Sequence, residues 1–324
     1  MRCLVVAAGL IVLAVGFAIV NGMNDGGSLA SMGIKLPGIR PLTAIGMLTV
    51  AVVLAPLVLG TAVATTLSSR LVSFEVAGGQ LALSVAVVVA LALVLVLSRW
   101  GLPTSLTLAL VGGITGAGLG SGLPVAWGWV LWVLALAAIA PLVGTLIAFA
   151  LSWSMYAWGP SLSMTRALRL GHRAAVSLQC LAYGVNDGQK MLAVFALALA
   201  LPTAPVSLPL PYVVLIGGCF ALGAALGLRR YGATLGSGVM AVRPINAVIA
   251  EVAAGVSVLS TGLLGAPVSM TQAITGGLVG TGAHEGMRRI RWNQAARIAM
   301  AWVVTLPVAL LAAAGLTALA RTFS

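Results

Sequence analysis

Apolar runs recur along the whole chain, separated by short stretches in which proline, glycine and basic residues concentrate. About 20 helical residues span the roughly 30 Å of hydrocarbon in a bilayer. Runs of that order fall at about residues 2–20, 41–66, 80–98, 103–121 and 126–151, and again at about 174–200, 211–228, 235–264, 267–283 and 297–320. The stretch between the two sets, Ser152 to Arg173, is the most polar of the chain and divides it into a first unit, residues 1–160, and a second, residues 161–324. The pattern predicts an all-α polytopic membrane protein with about five transmembrane or re-entrant segments in each unit.

Landmarks repeat in the same order in both units. Gly22-Met23-Asn24-Asp25-Gly26 is matched by Gly184-Val185-Asn186-Asp187-Gly188 at an offset of 162 residues. Pro103-Thr104-Ser105-Leu106-Thr107 is matched by Pro267-Val268-Ser269-Met270-Thr271, and Gly112-Gly113-Ile114-Thr115-Gly116 by Gly276-Gly277-Leu278-Val279-Gly280, both at 164; Pro141 is matched by Pro307 at 166. Self-similarity at a nearly fixed offset is the signature of a repeat, and an odd number of crossings per repeat inverts the second copy relative to the first. With both termini outside, Lys35, Arg40, Arg99, Arg166, Arg169, Arg173, Arg229, Arg230, Arg288, Arg289 and Arg291 all fall in cytoplasmic loops, as the positive-inside rule requires. Arg2, Arg70 and Arg321 are the exceptions.

Composition narrows the class further. Hydrophobic residues make up 61% of the chain and charged ones 7%, too few polar groups to cover a soluble surface. The net charge of +12 therefore has a topological meaning, and no nucleic-acid role is expected. Cys3, Cys180 and Cys219 are scattered among apolar stretches and form neither a disulfide framework nor a metal knuckle. Arg2 followed by an apolar run could pass for a signal peptide, but the run leads directly into the first Asn-Asp element and reads as a membrane helix.

An ionised Asp at the centre of a membrane helix costs about 2.5–3.5 kcal/mol to insert and is by default functional. Asp25 and Asp187 fit that description twice, each with a neighbouring Asn24 or Asn186 and flanking glycines that predict a broken helix. The Pro-x-Ser-x-Thr copies set hydroxyls at the start of Gly-rich helices, so Ser105, Thr107, Ser269 and Thr271 are candidate donors to an oxyanion; simple helix capping is the alternative. The Gly112, Gly116 and Gly120 series, and Gly276 with Gly280, have the small-xxx-small spacing of close helix packing. An anion beside two carboxylates meets repulsion of about 4 kcal/mol per charge pair at about 4 Å and an effective dielectric of 20. A cation must offset it: protons or metal ions taken up by the acids, or Lys190. Glu251, mid-segment, is a candidate ion or proton site or a structural partner for a base such as Arg243, whereas His172 and His284 read as solvated loop residues. Trp127, Trp129 and Trp132 read as interface anchors.

The paired Gly-x-Asn-Asp motifs, each followed by Pro-x-Ser-x-Thr and a Gly-Gly-x-x-Gly stretch, resemble the PiT family of inorganic phosphate transporters over nearly the whole chain. Gly184 to Lys190 resembles the second signature of the bacterial low-affinity permeases, and Trp292, Ala301, Trp302 and Pro307 are similar to the family's C-terminal pattern. The resemblance implies a transporter rather than an enzyme, seated in the cell membrane, without a cofactor beyond a coupling cation and with dimers as the family's assembly. It implies symport of inorganic phosphate, or a metal phosphate, by alternating access, with protons favoured as the coupling cation. Asn24, Asp25, Asn186 and Asp187 would form the substrate and cation site, with Ser105, Thr107, Ser269 and Thr271 as phosphate ligands. A sodium-coupled phosphate or sulfate-type anion permease is the alternative, and an ion channel or non-transporting membrane partner a third reading. The chain departs from the family pattern at Ser28 and Lys190, where a second Asn is usual, and at Leu106, Met270, Leu108 and Gln272 within the hydroxyl motifs. This asymmetry predicts unequal acids, Asp187 beside the anion's positive partner Lys190 and Asp25 more available to the coupling cation.

Overall fold

The computed structural model describes residues 2–322 apart from 27–38, 77, 101–103, 159–163, 202–205, 232–238 and 241. Helices build most of it, and the single β-type pairing among the described residues is an isolated bridge between Val72 and Val125. In chain order they are α1 (Arg2–Asn21), α2 (Pro41–Leu59), α3 (Ala62–Thr65), α4 (Gly79–Arg99), α5 (Leu106–Ser121), α6 (Trp127–Trp158), α7 (Met164–Tyr183), α8 (Gln189–Ala198), α9 (Leu210–Tyr231), α10 (Pro244–Leu263), α11 (Met270–Glu285) and α12 (Trp292–Arg321). Seven helical stretches among the described residues are long and apolar enough to cross a membrane: those of α1, α2, α4, α6, α9, α10 and α12. The chain is thus an all-α, multi-pass membrane protein.

Local chemistry sets several boundaries. Pro41 and Pro244 open α2 and α10 at the position where a missing N–H costs nothing. The run expected to continue from 41 to 66 stops at Gly60, whose φ of +88° is open to glycine; α3 and a π-helical turn, Thr66–Arg70, follow. Arg70, an exception to the basic-loop pattern, stacks its guanidinium 4.5 Å from the Trp129 ring centroid, a cation–π contact. Trp129 in turn meets Trp132 edge-on at 5.3 Å.

α5 and α11, each 16 residues and so about 24 Å long, lie at the centre. Residues 106–118 of α5 are all buried, and the glycines explain how. A Cβ on Gly112 or Gly116 would come within 2.6 or 2.1 Å of the Leu306 or Leu310 carbonyl of α12. On α11, a Cβ on Gly276 or Gly280 would come within 2.1 or 2.2 Å of the Pro141 or Thr145 carbonyl of α6. The opposite faces repeat the device: Gly113 meets the Ala86 carbonyl of α4 and Gly277 that of Ala250 in α10. Backbones in contact supply the dispersion energy that holds helices together where lipid offers no hydrophobic drive. Gly116→Ala and Gly276→Ala are therefore expected to cost about 1–3 kcal/mol or more, the usual cost of overpacking, seen as a lower melting temperature in detergent. Gly315→Ala, into open space, should leave the melting temperature unchanged or slightly raised; equal effects at all three positions would refute the packing account.

Two loop readings are corrected. The polar stretch from Ser152 to Arg173 is largely helical, taken up by the end of α6 and the start of α7. Arg166, Arg169 and Arg173 share an exposed face of α7, while His172 turns inward with Val176, Gln179 and Tyr183 and is fully buried. That is the i, i+4, i+7 stripe of an amphipathic helix. His284 is half-buried near the end of α11, edge-on to Phe149 at 5.9 Å. Ser28, Lys35 and Pro103 lie outside the described residues.

Candidate functional site

Both Asn-Asp motifs adopt a single π-helical turn, Gly22–Gly26 after α1 and Gly184–Gly188 between α7 and α8. Such turns insert one residue into the α-helical ladder and cluster at functional sites. The second motif does not interrupt its helix, because α7, the π turn and α8 run on without a gap; the broken helix expected there takes this milder form. The leading glycines allow close approach instead. A Cβ on Gly22 would lie 2.1 Å from the Phe220 carbonyl of α9, and one on Gly184 2.3 Å from the Ala51 carbonyl of α2. Each motif is pressed against a helix of the opposite unit.

All nine candidate substrate and cation residues are buried: Asn24, Asp25, Ser105, Thr107, Asn186, Asp187, Lys190, Ser269 and Thr271. The second motif is the centre of a dense network. Asn186 Nδ2 donates to the Val268 carbonyl at 2.7 Å, and the Val268 N–H donates to Asn186 Oδ1 at 3.1 Å. Asn186 Nδ2 also lies 3.2 Å from Asp187 Oδ2. Lys190 Nζ donates to Thr107 Oγ1 at 2.6 Å, to Asp187 Oδ1 at 2.9 Å and to the Val268 carbonyl at 2.9 Å. Thr107 Oγ1 itself donates to the same carbonyl at 3.0 Å. The starts of α5 and α11, one from each unit, are thereby tied together across the second Asn-Asp turn.

The first motif is joined to this network through Tyr183, whose hydroxyl donates to the Asp25 backbone carbonyl at 2.9 Å. Asn24 Nδ2 donates to Asp25 Oδ1 at 3.1 Å, and the Asp25 carboxylate is near enough to interact with the charges of Asp187 and Lys190. The four hydroxyls divide in role. Ser105 caps α5, its Oγ accepting from the Leu108 N–H at 3.2 Å, so capping accounts for its placement. Ser269 stands at the N-cap position of α11 without a side-chain cap bond; its hydroxyl instead shares a 2.7 Å hydrogen bond with Thr271. A helix N-terminus with free N–H groups and hydroxyls beside it is chemically suited to an oxyanion.

Glu251 lies apart from these residues. Its Oε2 is 3.0 Å from His172 Nδ1, both side chains almost fully buried. The suggested partner Arg243 instead lies 3.4 Å from Glu285 Oε1, and Arg289 lies 3.2 Å from Oε2. Glu251→Ala is expected to cost about 1–3 kcal/mol by leaving buried His172 Nδ1 unpaired, read as a drop in melting temperature that Glu251→Gln largely avoids. Equal melting temperatures for both variants and the native chain would refute the pairing.

Sequence reasoning missed two residues beside the motif. Gln189 Oε1 accepts from the Val63 and Ala64 N–H groups at 2.7 and 3.2 Å, while its Nε2 donates to the Gly60 carbonyl at 2.8 Å. One side chain thus closes both sides of the α2–α3 break. The signal was present in the Asp-Gly-Gln-Lys run, but nothing local to it announces a partner more than a hundred residues away. Tyr183 is the other, an apolar-looking neighbour whose hydroxyl bridges the motifs.

The model of the Phosphate transporter family matches residues 21–178 and 161–313. A probable low-affinity inorganic phosphate transporter of Mycobacterium bovis is 32% identical over 312 residues, covering 93% of this chain and 74% of its own. A protein of the same description from Bacillus subtilis is 24% identical, covering 92% of each chain. Among solved structures, one titled "The sodium-dependent phosphate transporter" superposes with a TM-score of 0.82 at 17% identity, covering 100% of both chains, and so shares the fold. With family-model matches over most of its length and a long, well-covered alignment to the mycobacterial relative, the chain belongs to the Phosphate transporter family.

Proposed function

We propose that the chain is a secondary active transporter that moves inorganic phosphate across the cell membrane together with a cation, by alternating access. The observation that carries this reading is the buried network that ties the second Asn-Asp turn to the starts of α5 and α11, with the first turn linked to it through the Tyr183 hydroxyl. Two inverted repeats, residues 1–160 and 161–324, account for it: the glycine faces of α5 on α12 and α4 are repeated by α11 on α6 and α10. Rocking of one assembly against the other would expose the shared site to each side in turn. Both termini are assigned to the outside on the distribution of basic residues.

Phosphate would bind at the start of α11, with the Ser105 O–H and the Ser269–Thr271 pair as donors, one proton of that pair staying in their mutual bond, and with Thr107 and Asn186 shaping the floor. Asp25 would take the mobile cation. The solved neighbour is a sodium-dependent phosphate transporter, and nothing among the described residues favours the proton over sodium, so the proton preference implied by resemblance gives way to an open choice between the two. Uptake of labelled phosphate into proteoliposomes under imposed sodium or proton gradients tests the reading. Uphill accumulation driven by one gradient is expected. Phosphate flux that ignores both gradients would sink symport, and conductance without accumulation would indicate a channel.

A further inference from the structure

We infer that the Lys190 ammonium is a tethered cation, occupying an oxygen cradle that would otherwise hold a small monovalent metal ion. The inference rests on the phosphate-transport reading and concerns how the second half of the site is charged.

An ammonium group has three N–H donors and no acceptor. All three are used: Asp187 Oδ1 at 2.9 Å, Thr107 Oγ1 at 2.6 Å and the Val268 carbonyl at 2.9 Å. Lys190 therefore has no proton left to offer an oxyanion, and the role of direct phosphate donor does not fit its geometry. What surrounds Nζ is a carboxylate, a hydroxyl and a main-chain carbonyl, the hard oxygen donors that suit metal ions which bind without covalent preference. The carbonyl belongs to the irregular segment just before α11, and non-helical carbonyls at such breaks are suited to coordinating a transported cation. The same oxygen already accepts from Asn186 Nδ2 at 2.7 Å and Thr107 Oγ1 at 3.0 Å, so the cradle is held in shape independently of Lys190. The lysine is 1% exposed, and its compact point charge is delivered from the helical turn that carries Asp187, by an i,i+3 pairing. The second half thus holds a permanent counter-charge, and phosphate binding there draws on no ion from solution. Any coupling cation is left to the Asp25 half.

Vacating the cradle should convert it into a sodium site. Full-length Lys190→Ser, purified in detergent, is expected to bind phosphate at least about tenfold more weakly in choline chloride than in sodium chloride of equal ionic strength, a typical coupling between two ligands. That sodium effect should exceed the native chain's. Sodium without phosphate should also raise the variant's melting temperature beyond its effect on the native protein, since a ligand of the folded state stabilises it. Lys190→Gln fills the cradle with an uncharged amide, so its phosphate affinity should fall in both salts and sodium should not restore it. Sodium responses of Lys190→Ser no larger than native, or Lys190→Gln binding phosphate like the native chain in choline, would overturn the inference. Should Lys190→Ser not fold in either salt, the Lys190→Gln result decides alone. A native chain that binds no phosphate while Lys190→Ser still gains a sodium-specific rise in melting temperature would refute the transport reading and leave the cradle standing.

Discussion

Asp187→Asn is expected to destabilise the protein more than the double substitution Asp187→Asn/Lys190→Met does. In the native chain the carboxylate and ammonium are 2.9 Å apart and each 1% exposed. Removing one partner leaves a buried charge uncompensated, at a cost of about 3–5 kcal/mol, whereas replacing both by uncharged groups of similar size is often near neutral. The double variant should recover most of the melting temperature lost in the single one. It should not recover phosphate uptake, because the cation in the second half is gone with its acid. A single variant as stable as the native chain would mean that Lys190 finds another acceptor or sheds its proton, and the ion pair would lose its assigned importance.

Asp25→Asn should have the opposite profile: a small change in melting temperature and a fall of at least about tenfold in gradient-driven phosphate uptake, equivalent to about 1.4 kcal/mol. Asp25 is buried, its Oδ1 accepts from Asn24, and its motif is tied down through a backbone carbonyl rather than through the carboxylate. An amide keeps that scaffold and removes the charge that would attract a cation. Uptake retained at native levels in well-folded Asp25→Asn would return the acid to a structural role and move cation coupling elsewhere, with the His172–Glu251 pair as the next place to test.

Together these variants separate two acids that look equivalent in the alignment of the chain with itself. Their environments differ because one position three residues downstream is Lys190, and in the first copy the same position is Ser28, outside the described residues. A symmetric pair of ion sites thereby becomes one fixed charge and one exchangeable one in our proposal.

The sequence by itself determined the helical class, the rough extent of the long apolar segments and the two Asn-Asp motifs, whereas of its ten expected runs seven are long apolar helices among the described residues. These depend on composition and spacing within a short window: hydrocarbon thickness dictates run length, and an acid in such a run stands out because burying it is costly. The close-packing role of Gly116 and Gly276 was legible for the same reason, since small-xxx-small spacing is a local signal. Contacts between distant segments were decided only by the tertiary structure. His172 looked solvated because its neighbours in sequence are basic, yet α7 is amphipathic and turns it onto Glu251. Arg243, the nearer base in sequence, went to Glu285 instead. Lys190 read as an anion's partner until the fold spent all three of its protons on Asp187, Thr107 and Val268. A side chain's charge is written in the sequence, and so is its i,i+3 neighbour Asp187, but the other two acceptors that saturate it come from α5 and the approach to α11, and only packing brings those together.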